Sequence, residues 1–242
     1  MIRKLMNEFT KVRFSRISYV MFISTGLIPI MIVMLVVILN SDIRYDSVTY
    51  LEYMSMILKF LVSFVGVIFY NWVASEIIGR EFRMDTIKSQ LTIPVERGSF
   101  VFVKLLFISI VLLAMTLSVF IIGTVISISM SMRGFTLSTV AKLLLVFLKA
   151  GFLMLPFAYF TVSLVLYFKK TLVPMAINMI VFLIVIATSN MAVSTVFPWT
   201  APYHIIFMND LNFSLQKSYL SIFLLGIISM YFSNRRINRM EI

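Results

Sequence analysis

Long apolar runs broken by short charged connections dominate this sequence; the alternation that marks half-buried strands is missing. Ile17–Leu39 carries no charged residue, nor does Leu105–Met132, nor the stretch Thr171–Asn209. A helix crosses a bilayer with roughly 20 apolar residues. Six crossings are therefore expected. They are placed at about Ile17–Leu39, Met54–Ala74, within Leu105–Met132, Leu148–Phe168, from Leu172 within Thr171–Asn209, and Leu215–Ser233. The first run exceeds the roughly 7–15 residues of a secretory h-region and leads into Asn40-Ser41-Asp42, not a small-x-small cleavage site. It is read as a retained span. The expected fold class is an all-α integral membrane protein, one transmembrane domain over residues 1–242 without a soluble module or internal repeat.

Composition agrees. Hydrophobic residues make up 61% and charged residues 13% of the 242, against about 45–50% and about 25% in soluble chains. A surface this apolar needs lipid as its solvent. The net charge of +11 would suit nucleic acid in a soluble chain. Here its distribution gives another reading. One set of alternate connections holds Arg3, Lys4, Lys11, Arg13 and Arg16, then Arg80, Arg83, Lys88, Arg97 and Lys104, then Lys169 and Lys170, then Arg235, Arg236 and Arg239. The other set holds only Arg44, Lys59, Arg133, Lys142, Lys149 and Lys217. Cytoplasmic connections collect Lys and Arg. Both termini are thus expected in the cytoplasm, with lipid and no nucleic acid as partner.

Three segments say more. In residues 1–16 the apolar positions 2, 5, 6, 9 and 12 follow helical spacing, with Arg3, Lys4 and Lys11 off the stripe. A basic amphipathic helix of this kind lies in the headgroup layer; the plainer alternative is a topology anchor. Residues 75–104 form the longest hydrophilic stretch. Its charges alternate in sign, Ile87 and Leu91 are one turn apart, and Pro94 stops a helix. A short helix along the membrane surface, suited to docking a partner, and a solvated loop fit equally well. Residues 191–210 hold Phe197, Pro198, Trp199, Pro202, Tyr203 and Phe207 on the expected outer face. The prolines oppose a full crossing, so a helix pair dipping into the outer leaflet is expected, with Trp199 and Tyr203 at interface depth. A seventh span is the alternative.

Candidate chemistry is sparse. There is no Cys, one His and no Gly-x-x-x-x-Gly-Lys-Ser/Thr phosphate loop, so neither a catalytic site, a metal site nor a nucleotide site is expected. His204 reads as an interfacial residue, and Lys59 and Lys149 as snorkelling cations. No acid sits within a charge-free span to carry a coupling proton, which disfavours secondary transport. A membrane hydrolase lacks its histidines or Ser–Lys pair. A regulatory subunit or a channel stays open.

Three motif groups, in this order around six spans, resemble the ABC-2 family of ABC-transporter permeases. Leu5, Glu8, Lys11 and Ser15 with Pro29 resemble the opening of its peptide-transport and lantibiotic-immunity branch. Glu81, Thr86, Lys88, Leu91, Pro94, Arg97 and Lys104 resemble the segment after its second helix, and Pro198-Trp199 through Pro202-Tyr203 its fifth-to-sixth connection. The resemblance implies an N-terminal interfacial helix and a cytoplasmic coupling helix carrying Glu81, Arg83, Met84, Asp85, Thr86, Ile87, Lys88 and Leu91. It also implies an outer gate with Pro198, Trp199, Pro202 and Tyr203. Partner ABC ATPases would bind ATP and Mg, and a second permease, identical or related, would complete the pathway in a bacterial plasma membrane. The implied cargo is an amphipathic peptide, exported or expelled. Deformable Phe and Met linings suit such cargo, and Phe64, Phe69, Tyr70, Asn178 and Asn190 are the candidate path residues.

Overall fold

The computed structural model describes residues 2–13, 16–39, 48–84, 97–188, 196–207 and 215–239, and is helical with no strand among them. The elements are α1 (Ile2–Arg13), α2 (Arg16–Leu39), α3 (Tyr50–Phe60), a π-helical turn (Leu61–Val65), α4 (Gly66–Arg83), α5 (Arg97–Ser129), α6 (Leu137–Phe168), α7 (Leu172–Thr188), α8 (Ala201–Phe207) and α9 (Leu215–Asn238).

Four of these helices are long and apolar enough to cross a membrane: α2, α5, α6 and α9. The pair α3–α4 passes the same test as one broken span, bent by 51° at the π turn. The sequence suggested an unbroken helix over Met54–Ala74. The break has a local cause. The extra residue of a π turn shifts the hydrogen-bond ladder and brings the Leu61 carbonyl oxygen to within 2.1 Å of where a Cβ on residue 66 would sit, and that residue is Gly66. The expected fifth crossing corresponds to α7, whose 17 residues extend about 25 Å at 1.5 Å per residue.

Caps explain several boundaries. Thr49 accepts from the Glu52 amide while the Glu52 carboxylate accepts from the Thr49 amide, a capping box that starts α3. Thr136 caps α6, and Lys169, in the left-handed region at φ 55°, ends it. Opposite α1, the Tyr50 amide donates to the Arg133 carbonyl at 2.9 Å, tying the start of α3 to the α5–α6 turn. α1, the ends of α4, α6 and α9, and the starts of α5 and α7 gather at one end of the bundle.

The interior is packed around Tyr53, Met54, Ile57, Phe107, Ile108, Leu112, Phe147 and Phe157, all under 2% or at 2% exposed. Polar groups join the helices across it. Tyr53 donates to the Pro29 carbonyl of α2 at 3.1 Å, and Tyr70 pairs with Thr116 of α5 at 2.6 Å. Asn178 of α7 donates to Thr161 of α6 at 2.9 Å. Where lipid replaces water, such bonds and close packing hold helices together, because apolar side chains gain little by leaving lipid. Phe22, Leu137 and Leu172, 78%, 85% and 77% exposed, belong to an apolar outer surface. That pattern, with the spans, makes this a multi-pass membrane protein.

Candidate functional site

The gathered end holds a buried charge cluster drawn from three segments. Glu8 comes from α1, Glu81 from the last turn of α4, and Lys104 from the second turn of α5. Lys104 is 3% exposed, and its ammonium donates to Glu8 Oε2 and to Glu81 Oε1. Lys11, half exposed, donates to Glu8 Oε1 at 2.7 Å and to Glu81 Oε1 at 3.3 Å. The Arg80 guanidinium then caps the end of α1 by donating to the Lys11 carbonyl at 2.8 Å. Among the described residues, these two carboxylates face two ammonium groups, and such pairing is the condition for burying charge at tolerable cost.

Helical geometry brings the charges together. Glu8 and Val12 lie one turn apart on the face of α1 that is buried, while Met6 and Phe9 stay exposed at 64% and 46%. The stripe expected at positions 2, 5, 6, 9 and 12 is thus split. Part of it, with an acid, faces the bundle. Met6 and Phe9 instead line an apolar groove of about 650 Å³ between α1, α2 and α5, where Phe9 meets Phe107 edge-on at 5.0 Å.

Electrostatics follow from these contacts. Burial alone would push the Glu8 carboxyl up, but the charge and hydrogen bond of Lys104 and those of Lys11 outweigh it and hold it below its usual value. For Lys11 burial would lower the ammonium, yet its bond to Glu8 and the charges of Glu81 and Glu8 raise it above the usual lysine value. The arrangement acts as a mechanical tie of α1 to both helices that flank residues 85–96.

Of the residues expected to couple to a motor, Glu81, Arg83 and Met84 end or follow α4 as a direct extension of the span; sequence had begun the connection at Ser75. Glu81 faces inward to Lys104, whereas Arg83 and Met84 are exposed, and Arg83 pairs with Glu76 two turns back on its own face of α4. Asp85, Thr86, Ile87, Lys88 and Leu91 lie outside the described residues. Among the candidate path residues, Tyr70 and Asn178 are buried in interhelical hydrogen bonds, and Phe69 stacks on Trp72 at 6.0 Å. The side chain of Phe64 and all of Asn190 lie outside the described residues.

Within the expected outer segment, Val196 is exposed while α8 packs against α6 and α9, with Ala201, Pro202, His204 and Ile205 buried. Trp199 stacks on Phe157 at 5.6 Å and meets Phe160 edge-on at 5.3 Å, positions nearer the Phe168 end of α6 than its start. Pro202 is buried and Tyr203 leans on Phe207, whose ring lies under the Lys59 ammonium at 5.5 Å. Glu8 entered the sequence reading only as a motif match, and Lys104 as a motif match and a basic residue of the second connection. The signal that could have paired them was an acid on the inner face of a basic helix and a lysine just inside a long apolar run.

No curated protein matches this sequence. Residues 4–185, from α1 into α7, match the profile of a family described as ABC-2 family transporter protein. The chain belongs to the ABC-2 family of transporter proteins, as a membrane subunit that works with a separate ABC ATPase.

Proposed function

We propose that this chain is the permease of an ATP-driven exporter of amphipathic, antimicrobial or toxin-like peptides, giving its producer export and self-immunity. It crosses a bacterial plasma membrane six times, counting α3–α4 and α7 as one span each, with both termini cytoplasmic. A second permease, identical or related, completes the path along α2, α3–α4 and α7. ATP and Mg belong to the partner ATPase. Segment 85–96, with Arg83 and Met84, docks that ATPase, and 191–210 forms the outer gate around Pro198, Trp199, Pro202 and Tyr203.

The observation that carries this reading is the Glu8–Lys11–Glu81–Lys104 cluster. Motion of a docked segment does work on the spans only if its two ends are stiff. The cluster couples the end of α4, the start of α5 and α1, so a pull on 85–96 moves three helices together. The +11 chain with its basic residues concentrated at that end supports the cytoplasmic assignment. A short α7 is compatible with spanning, since a 25 Å helix is accommodated by local bilayer thinning.

The test co-expresses the chain with its ATPase and follows ATP-dependent uptake of a fluorescent cationic amphipathic peptide by inverted vesicles. Asp85→Arg with Leu91→Asp is expected to abolish ATPase co-purification and reduce uptake at least about tenfold, as reversed charge and a polar knob do at a docking surface. Unchanged assembly and transport would remove the coupling role. Intact assembly without peptide uptake in the unaltered protein would favour a regulatory or channel subunit.

A further inference from the structure

A second cationic site stands apart from that cluster, between α6 and α9. Phe160, Ser163, Leu164 and Tyr167 lie at helical spacing on one face of α6. Phe232, Arg235, Arg236 and Arg239 descend the facing side of α9. Together they enclose a cavity of about 350 Å³. Phe160, Leu164, Tyr167 and Phe232 make one part of its lining apolar, and three guanidinium-bearing side chains, at and just past the last turn of α9, make the rest cationic.

These charges have no protein counter-ion among the described residues. The ion pairs there join Lys11, Arg83 and Lys104 to Glu8, Glu76 and Glu81, and none reaches α9. Arg236 is fixed in place by the Tyr167 ring, 5.1 Å from its guanidinium carbon, and its Nε is buried with no hydrogen-bond acceptor. A guanidinium remains charged at every physiological pH and offers donors in a planar fork suited to phosphate. The C-terminal dipoles of α6 and α9 add about half a negative charge each. They soften the repulsion between three cations but leave the buried Nε proton unbonded.

We infer that this cavity binds the phosphate of an anionic phospholipid, with Arg235, Arg236 and Arg239 around the headgroup and an acyl chain entering along Phe160, Leu164 and Phe232. The apolar wall selects lipid over free phosphate, because a soluble anion would leave Phe160 and Leu164 uncovered. The volume also fits. At about 30 Å³ per water the space suits a phosphoglycerol and the first methylenes, with the rest of the chains in the bilayer. Basic pockets between transmembrane helices recognise lipid headgroups in this manner. A bound lipid would bridge the ends of α6 and α9, the helix pair on which Trp199 and α8 also rest. The inference needs only the bilayer and is independent of the cargo proposed above.

The full chain, purified in an uncharged detergent, is titrated with dioleoyl phosphatidylglycerol, dioleoyl phosphatidylcholine or inorganic phosphate and followed by native mass spectrometry. A saturable phosphatidylglycerol adduct with little phosphatidylcholine is expected. Replacing all three arginines by Gln should weaken that adduct about a hundredfold, from about fivefold per cation near an anionic headgroup. Arg236→Lys, which keeps the charge and loses the Nε donor, should weaken it severalfold in a protein that melts as the wild type does. Leu164→Trp should weaken the lipid adduct alone. Glu241→Gln, which removes the acid closest in sequence to Arg239, should leave binding unchanged; a gain in affinity there would identify a carboxylate of the chain itself as the occupant. Equal affinity for the two lipids, displacement of lipid by millimolar phosphate, a dimer formed only with the arginines intact, or binding unaffected by Arg236→Lys and the triple change would each overturn the site.

Discussion

Lys104 is where one side chain decides most. Its ammonium is 3% exposed and faces two carboxylates. Lys104→Met takes the buried ammonium from Glu8 and Glu81 while the half-exposed Lys11 stays beside them. Removing one partner of a buried ion pair costs about 3–5 kcal/mol, so unfolding in detergent should shift by about that amount. Adding Glu8→Gln and Glu81→Gln should recover most of the loss, because the uncompensated charge then disappears. The pH dependence has a definite sign. The Glu8 value is lowered from 4.5, so its contribution is complete above 4.5 and fades as pH falls through the lowered value. The Lys11 value is raised from 10.5, so its contribution is complete below 10.5 and fades as pH rises through the raised value. Docking of α1 should therefore be flat between pH 5 and 10 and weaken outside that window. Spin labels at Thr10→Cys and Ser118→Cys, which line the same groove in an otherwise cysteine-free chain, would report it. Separation of the labels already at pH 7 would contradict the tie.

Among elements, the contact between α4 and the α6–α7 turn makes a sharp prediction. A Cβ at Gly79 would come 1.9 Å from Thr171 Cγ2. Gly79→Ala should destabilise by about 1–3 kcal/mol through overpacking, and Thr171→Ser, which deletes that methyl, should restore most of it in a thermal melt. Helix existence was legible in the sequence because apolar runs over Ile17–Leu39 and Leu105–Met132 admit little else. The bend at Leu61–Val65 was not, since Leu, Val, Ser and Phe serve a π turn and an α turn alike; only Gly66 hinted at it. The interruption between α4 and α5 was legible as a charged connection, but the extension of α4 to Arg83 was not. Its apolar period is interrupted by Glu76, which pairs with Arg83 on the same helix, and by Arg80 and Glu81, whose partners lie on α1 and α5. The ring partners of Trp199 were not legible, because local composition marks an aromatic as amphipathic without saying which neighbour offers it a ring; here Phe157 and Phe160 do.

For the whole molecule, α1, the last turn of α9 and the flanks of 85–96 share one end, as the basic residues anticipated. Single cysteines test the side. Ser89→Cys is expected to resist an impermeant maleimide in intact cells and to react once they are opened, while Ser138→Cys should react in both. The opposite pattern would invert the proposed topology and take the ATPase site with it. The charge cluster has one more consequence, for biogenesis. Its members lie 70 and 96 positions apart along the chain. Glu8 and Lys11 leave the ribosome long before Glu81 and Lys104 do, so the amino-terminal helix waits on the membrane surface until the start of α5 arrives. The helix holding Glu8 is thus made well before the partner that fastens it.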